Sequence, residues 1–180
     1  MSIKTKNWFE VSKEGLKQLL NGRSRTFAIA ELLQNAWDQD ITEVNVEIEK
    51  DAKSRAYRVS VTDDDPNGWQ DIADAFTLFK PSNKKADPTK RGRFNLGEKL
   101  VLAVCKEAKI VSVNHAVCFN KNGRRLLKER VPKGSTFTGL LSLNKGEIKK
   151  FEDYVQTLLV PSNIDTYVKI LGEEFMLEPH

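Results

Sequence analysis

The feature that most constrains the fold is a change in hydrophobic period near residue 43. From Thr26 to Asp38 the apolar residues recur at helical spacing, whereas from Glu43 onward they alternate with polar residues. The alternation in residues 44–48 and 57–61 predicts two half-buried strands joined by a short loop. The chain therefore combines a long amphipathic helix with a strand hairpin.

The remaining elements extend the same pattern. Helices are predicted at residues 12–20, 71–79, 98–105 and 146–159, and strands at 109–114, 116–120, 124–130, 136–143 and 167–171. The step Lys121-Asn122-Gly123 predicts a hairpin turn. Because helices and strands come in blocks, we expect an α+β, two-layer sandwich. Its sheet should be mixed, mostly antiparallel and covered by helices on one face.

Composition limits the class of protein and its surroundings. The 180 residues are 39% hydrophobic and 30% charged, as in a soluble domain. No apolar run approaches the ~20 residues that cross a bilayer, so no membrane partner is expected. Cys105 and Cys118 lie in apolar surroundings, which indicates reduced thiols and a cytoplasmic location. The net charge is +4, and the positive charges are clustered at residues 80–93 and 124–133. Such clusters can bind the phosphates of a nucleotide or a nucleic acid. For either cluster alone, a solvated surface is the simpler interpretation.

Three polar residues share one face of the helix 26–38. Glu31, Asn35 and Asp38 are spaced i, i+4 and i+7, and Leu32, Leu33 and Ala36 lie mostly on the other side. A carboxylate and a carboxamide one turn apart suit a hard cation and a water molecule beside it. The alternative is the ordinary solvated face of an amphipathic helix.

A turn rich in acidic residues follows the second strand. Its order Asp63-x-Asp65-x-Asn67-Gly68 matches the start of a calcium-binding EF-hand loop, but a strand and not a helix is predicted before it. The other interpretation is a strand that ends in a buried aspartate, which accepts a hydrogen bond from an exocyclic amine of a base.

A glycine-rich segment precedes the helix at 98–105. Gly92 and Gly97 have the Gly-x₄-Gly spacing of a Walker A loop, but Glu98 separates the second glycine from Lys99 and no apolar strand precedes the first. Two glycines before a helix still allow close approach of the backbone and leave free N–H groups at a positive helix end. We therefore expect a phosphate cradle of another kind.

Taken in order, these pieces resemble the GHKL ATPases. The N-box Glu-x₃-Asn-x₂-Asp matches Glu31, Asn35 and Asp38, and the second glycine box is closest to the MORC version at Gly92, Arg93, Phe94, Gly97 and Lys99. The lysine-rich segment 80–91 corresponds to the family's ATP lid, and Gly134-Ser135-Thr136 resembles its late Gly-Thr element. The first glycine box departs from Asp-x-Gly-x-Gly. Strand alternation places Asp63 at the adenine-binding position, and Asp64 is the alternative if one residue is inserted, with Gly68 as the last glycine.

The resemblance implies a Bergerat fold, ATP and Mg²⁺ as cofactors, and a role for each matching residue. Glu31 would be the general base, Asn35 the Mg²⁺ ligand, and Asp38 would order water or the lid. The backbone of residues 95–99 would cradle the phosphates, with Lys99 and a lid residue, Ser82 or Lys84, balancing their charge. The complete set of predicted nucleotide-binding residues is Asn35, Asp38, Asp63, Asp64, Gly68, Ser82, Lys84, Gly92, Arg93, Phe94, Asn95, Leu96, Gly97, Glu98, Lys99, Ser135 and Thr136.

The resemblance also narrows the function classes. His115 and His180 are the only histidines, and neither suits a phosphoacceptor helix, so a complete histidine kinase is excluded. We expect residues 1–160 to be an ATPase domain with slow hydrolysis, followed at 161–180 by a C-terminal strand or the start of another domain. It would act as the N-terminal part of an ATP-gated homodimeric clamp on DNA. The alternative is an ATP-binding chaperone-like or signalling switch domain without a DNA role.

Overall fold

A computed structural model describes residues 11–19, 25–69, 71–76 and 97–179. Its helices are α1 (Lys13–Gln18), α2 (Arg25–Trp37), α3 (Gly97–Val104) and α4 (Lys145–Val155), with a 3₁₀ turn at Ile72–Ala75. Its strands are β1 (Glu43–Lys50), β2 (Tyr57–Asp63), β3 (Cys105–Ser112), β4 (Ala116–Asn120), β5 (Gly123–Leu127), β6 (Ser135–Leu141), β7 (Asp165–Ile170) and β8 (Glu173–Met176).

The eight described strands form one sheet in the order β5-β4-β3-β6-β2-β1-β7-β8. Every neighbouring pair is antiparallel except β1 and β7, which run parallel. The prediction of a mixed, mostly antiparallel sheet in an α+β chain is confirmed. The boundary predicted near residue 160 does not interrupt this sheet, because β7 pairs with β1 along its whole length.

The helices cover one face of the sheet. On that face Val46 of β1, Val61 of β2 and Phe137 of β6 lie side by side and are buried. They belong to one continuous core with residues of α2 and α4 such as Leu33 and Phe151. Strand alternation explains this arrangement, because every second residue of each strand points to the same face.

Local signals define the ends of several elements. Asn144 and Glu147 form a capping box at the start of α4, with two reciprocal hydrogen bonds of 2.9 Å between side chain and backbone. The hairpin predicted at Lys121-Asn122-Gly123 joins β4 to β5. A second hairpin joins β7 to β8 through Leu171 and Gly172, both with positive φ, as a two-residue type I′ turn requires.

The predicted elements agree with the structure except in detail. Residues 71–79 were expected to be a helix, and the part that is described is the short 3₁₀ turn. Strand β8 was not predicted, because its four residues are mostly exposed and show no buried alternation. The segment 80–91, predicted to be a lid loop, lies outside the described residues. No helix of the described ranges is long and apolar enough to span a membrane.

Candidate functional site

A partly exposed stripe on α2 and just after its end carries the predicted base Glu31, the predicted Mg²⁺ ligand Asn35, and Asp38. Glu31, Asn35 and Asp38 are half-buried, whereas Leu32, Leu33 and Ala36 are buried in the core. The α2 helix is therefore buried on most sides and leaves one polar strip open, as the spacing predicted. A helix fixed in this way holds its polar strip in a defined direction.

The C-terminal end of α2 lies over one particular row of the sheet. Trp37 Nε1 donates a buried hydrogen bond of 3.0 Å to Thr166 Oγ1 of β7. Thr166 is the cross-strand partner of Val44, which is in turn the partner of Asp63. Neighbouring strands lie about 4.8 Å apart, so Asp63 is two strands, about 10 Å, from the point where α2 touches the sheet.

Asp63 ends β2 on the helix-covered face and holds a partly desolvated carboxylate. Its Oδ1 accepts hydrogen bonds of 3.1 Å from the backbone N–H groups of Asp65 and of Ser135. Burial raises the pKa of Asp63 to about 6, although these two hydrogen bonds favour the ionised form. Both bonds reach the same oxygen, so the carboxylate has a second oxygen to offer a ligand.

Asp64 points elsewhere and serves the turn itself. Its carboxylate accepts hydrogen bonds from Thr42 N (2.8 Å), Thr42 Oγ1 (2.6 Å) and Glu43 N (3.0 Å), and Lys133 Nζ lies 3.1 Å away. Partial burial works to raise the pKa of Asp64, but the hydrogen bonds hold it well below its usual range. Of the two aspartates left open by the sequence, the geometry favours Asp63 as the ligand-facing one.

Gly134 and Gly68 are required by close approaches around Asp63. Gly134 has φ +72°, and a Cβ there would lie 1.8 Å from the carbonyl oxygen of Asp63. Gly68 has φ +58°, and its Cβ would lie 2.8 Å from Val113 Cγ2. Only glycine fits either position, because φ is positive and the space is filled. Gly134 and Ser135, two residues of the segment 134–136 that was predicted to support the adenine site, thus contact Asp63.

Thr136 does not join this cluster, and its role at the nucleotide site stays a prediction. Its Oγ1 lies 3.2 Å from Thr62 Oγ1, and these two residues are cross-strand partners on the face of the sheet away from the helices. Strand alternation forces this, because Ser135 already points to the helix-covered face. Ser135 is buried and is the residue of the segment that touches Asp63.

The turn after β2 is held by hydrogen bonds to Asp65. Asp65 Oδ1 accepts from Asn67 N at 2.8 Å, and Gly68 N donates to the carbonyl of Asp65 at 3.2 Å. The sequence Asp-Pro-Asn-Gly suits such a turn, with Pro at its second position and Gly at its fourth. The EF-hand interpretation is wrong, because strand β2 and not a helix precedes this turn.

The second glycine box lies only partly within the described residues. Gly97 and Glu98 begin α3, and Lys99, 3% exposed, lies in its first turn. The helix packs against α2, the helix that carries the polar stripe. The predicted residues Ser82, Lys84 and 92–96, which include Gly92, Arg93, Phe94, Asn95 and Leu96, lie outside the described residues. Their roles, and the MORC-like form of this box, stay predictions.

Sequence reasoning missed the residues that hold the site together. Thr42, Lys133 and Thr166 each make a hydrogen bond or ion pair with a residue far away in the chain. Ser112, fully buried, lies next to Ser135 in the same row of the sheet and packs against Gly68. The turn sequence 65–68 was the one readable signal, since the other partners depend on the tertiary fold.

Comparisons with known proteins agree with this arrangement. Residues 23–129 match the family model described as histidine kinase-, DNA gyrase B- and HSP90-like ATPase. No curated protein sequence matches the chain significantly.

Two solved structures of the ATPase region of Saccharomyces cerevisiae topoisomerase II share the fold. One gives a TM-score of 0.61 at 13% identity, and the other, bound to ICRF-187 (dexrazoxane), gives 0.59 at 13% identity. Each match covers 83% of this chain and 48% of the other, so the chain spans about half the length of these relatives. The family model covers more than half of the chain and the fold agrees, and the chain belongs to the family of histidine kinase-, DNA gyrase B- and HSP90-like ATPases.

Proposed function

We propose that this chain binds ATP with Mg²⁺ and hydrolyses it slowly. The observation that carries the proposal is that α2, with its polar stripe, and a partly buried aspartate at the end of β2 lie on the same side of the sheet, two strands apart. The first offers hard oxygen ligands and a base, and the second offers an acceptor for a purine amine. A family match over residues 23–129 supports the same assignment.

The adenine end of the site is Asp63. Its carboxylate is partly desolvated and is oriented by Asp65 N and Ser135 N, so its second oxygen accepts the adenine amino group. A buried acceptor discriminates between bases, because a base without the amino group leaves the acceptor unpaired. Gly134 and Gly68 keep this acceptor in place by close packing.

The phosphate end of the site lies between α2 and the start of α3. Asn35 would ligate Mg²⁺ through its amide oxygen, since carboxylate and amide oxygens suit this hard cation. When bound, Mg²⁺ neutralises charge that develops on the transferred phosphoryl group. The N–H groups at the beginning of α3 favour an anion, and Lys99 adds a positive charge in its first turn.

Hydrolysis needs a base, and we assign this role to Glu31. It lies one helical turn before Asn35 on the same stripe, so it can orient and deprotonate a water beside the phosphates. Asp38, a further turn along, would order water on the nucleotide side. Slow turnover is expected for this domain alone, because some relatives complete the site with a residue from a following domain.

The larger role that we propose is the ATPase part of a dimeric clamp that acts on DNA. ATP binding would bring two copies together, and hydrolysis would release them. The lysine-rich segment 80–91 and the cationic residues after β4 favour this role over that of a chaperone or a signalling switch.

The test measures ATP binding and hydrolysis together, with Mg²⁺ and with EDTA. Glu31→Ala should still bind ATP and should lose hydrolysis by roughly 100-fold or more, the usual contribution of a general base. Gln34→Ala is the matched control, because Gln34 is half-buried on the same stretch of α2 and has no assigned role. Its turnover should stay close to that of the unchanged protein.

Two outcomes would contradict the proposal. If the unchanged protein binds no ATP in the presence of Mg²⁺, the altered turn at residues 63–68 has disabled the site. If Glu31→Ala hydrolyses ATP as fast as Gln34→Ala, Glu31 is not the base.

A further inference from the structure

Positive charge is concentrated at one edge of the sheet. Residues 105–135, which span β3 to β5 and the segment after them, contain eight Lys and Arg against two Glu. Residues 165–178, which span β7 and β8, contain one Lys against four Asp and Glu. Because β5 and β8 are the two ends of the strand order, the sheet is cationic at its β5 edge and acidic toward its β8 edge.

Five cations of this edge are exposed, and we name them the β5 basic surface. They are Lys121, Arg125, Lys128, Arg130 and Lys133. Arg124 is left out, because its guanidinium lies 3.8 Å over the ring of Phe76. Within the described ranges, the one acidic partner of this surface is Asp64, which lies 3.1 Å from Lys133.

The β5 basic surface continues onto the open face of the sheet. Arg125 pairs across the sheet with Cys118, which pairs with Lys109, which pairs with Thr138. These neighbours share the face that the helices do not cover. A groove there is lined by Lys109, Glu129, Arg130, Thr136 and Thr138, with Val111 and Val131 between them. Lys109 is paired with Glu129 at 2.8 Å, so one carboxylate lies among the cations and hydroxyl groups of this path. Both groups donate hydrogen bonds to phosphate oxygens.

The chemistry of this path favours a phosphate backbone over unpaired bases. Residues 120–135 contain no Phe, Tyr or Trp, so they offer no ring on which a base can stack. Proteins that hold single strands depend on such stacking, whereas a duplex is held by cations along its phosphates. We infer that the β5 basic surface binds the phosphate backbone of double-stranded DNA without reading its sequence.

The inference rests on the DNA role within the proposed function and not on ATP hydrolysis. It is tested without nucleotide, with a labelled mixed-sequence duplex, between about 50 and 200 mM salt. The variant Arg125→Glu with Lys128→Glu should weaken binding by about tenfold or more. It should also lower the slope of log affinity against log salt by about two, one for each lost phosphate contact.

The control variant, Lys145→Glu with Lys150→Glu, changes the net charge equally. These two lysines are exposed on α4, in the helix layer on the opposite side of the sheet. This variant should keep the salt slope of the unchanged protein. Equal losses in both variants would overturn the inference, since the effect would then follow net charge alone.

Three other outcomes would also overturn it. In the first, the unchanged protein does not bind the duplex at about 50 mM salt. In the second, it binds a single strand of the same length more tightly than the duplex. In the third, it binds vesicles of anionic phospholipid as tightly as the duplex. ATP hydrolysis measured on the same variants separates the two proposals. DNA binding that depends on Arg125 and Lys128 supports the surface even in a protein that hydrolyses no ATP.

Discussion

At the scale of residues, two adjacent aspartates have opposite electrostatics. Asp63 is partly buried with few donors, and its pKa is raised to about 6, whereas Asp64 is surrounded by donors, and its pKa is held below its usual range. The first carboxylate costs stability when ionised, and the second contributes stability when ionised. Such a pair is typical of a site in which one residue binds and its neighbour supports the backbone.

Asp63→Asn should stabilise the fold and weaken ATP binding. The amide keeps an acceptor for Asp65 N and Ser135 N and removes a charge that is costly to bury. The raised pKa makes the unchanged protein lose stability as pH rises from about 4 to 6, so the gain should reach about 1–2 kcal/mol at pH 7. Urea unfolding from pH 4 to pH 8 measures it, and a constant difference over this range would contradict the argument.

Asp64→Asn should destabilise the protein at neutral pH by about 1–3 kcal/mol, because several hydrogen bonds to a charged acceptor are weakened. Because the pKa of Asp64 is lowered in the folded state, its ionised carboxylate contributes to stability above about pH 4. This contribution is lost as pH falls through the folded-state pKa. Acid unfolding followed by circular dichroism should show a midpoint at higher pH in the variant. An unchanged midpoint would show that Asp64 does not hold the turn.

At the scale of elements, the segment before β6 is packed directly on the end of β2. Gly134 and Gly123 both have positive φ, but only Gly134 would place a Cβ against backbone, since nothing lies within 4 Å of a Cβ at Gly123. An alanine substitution at Gly123 therefore measures the free-energy cost of a strained backbone alone, whereas one at Gly134 adds the cost of a steric clash.

Gly134→Ala should lower the free energy of unfolding by about 3–5 kcal/mol, the range of severe single substitutions. Gly123→Ala should cost about 1–2 kcal/mol, the price of a left-handed conformation alone. Denaturant unfolding of both variants gives the comparison. Equal costs would mean that the contact between Gly134 and Asp63 is easily relieved.

The sequence predicted the secondary-structure elements and the polar stripe of α2 better than it predicted the tertiary contacts. Glu31 and Asn35 were found because the period of one helix is enough to place them on one face. Strand alternation favoured Asp63 over Asp64, but the contacts of Asp64 with Thr42 and Glu43, about 20 residues away, leave no trace in any local pattern. Thr136 was included because residues 134–136 resemble a Gly-Thr element, whereas the direction of its side chain depends on the strand register, which the resemblance does not give.

At the scale of the whole molecule, β7 completes the sheet. Thr166, Val168 and Ile170 are buried, and they lie beside Val44 and Ile48 of β1. This parallel neighbour was not predictable, because parallel pairing joins strands distant in sequence and leaves no short-range signal. The last part of the described chain therefore belongs to the core.

A chain that ends at residue 160 should fail to fold cooperatively. It would lose the partner of β1 and expose Val44, Val46 and Ile48 at an unpaired edge. Thermal unfolding and limited proteolysis of residues 1–160 and 1–180 make the comparison. A cooperative transition in the shorter chain would show that the sheet is stable without β7 and β8.

The pairing of β1 with β7 also affects the order of events during synthesis. Glu43 pairs with Asp165, so β1 leaves the ribosome more than 100 residues before its neighbour. At about 5–20 residues per second, the nascent strand waits several seconds or longer with one edge open. The open edge of β1 is covered only when the long chain segment between β1 and β7 closes into a loop. Closing such a long loop is slow, so we expect slow folding for a domain of this size. During this interval a chaperone that shields strand edges has the most time to act on the chain.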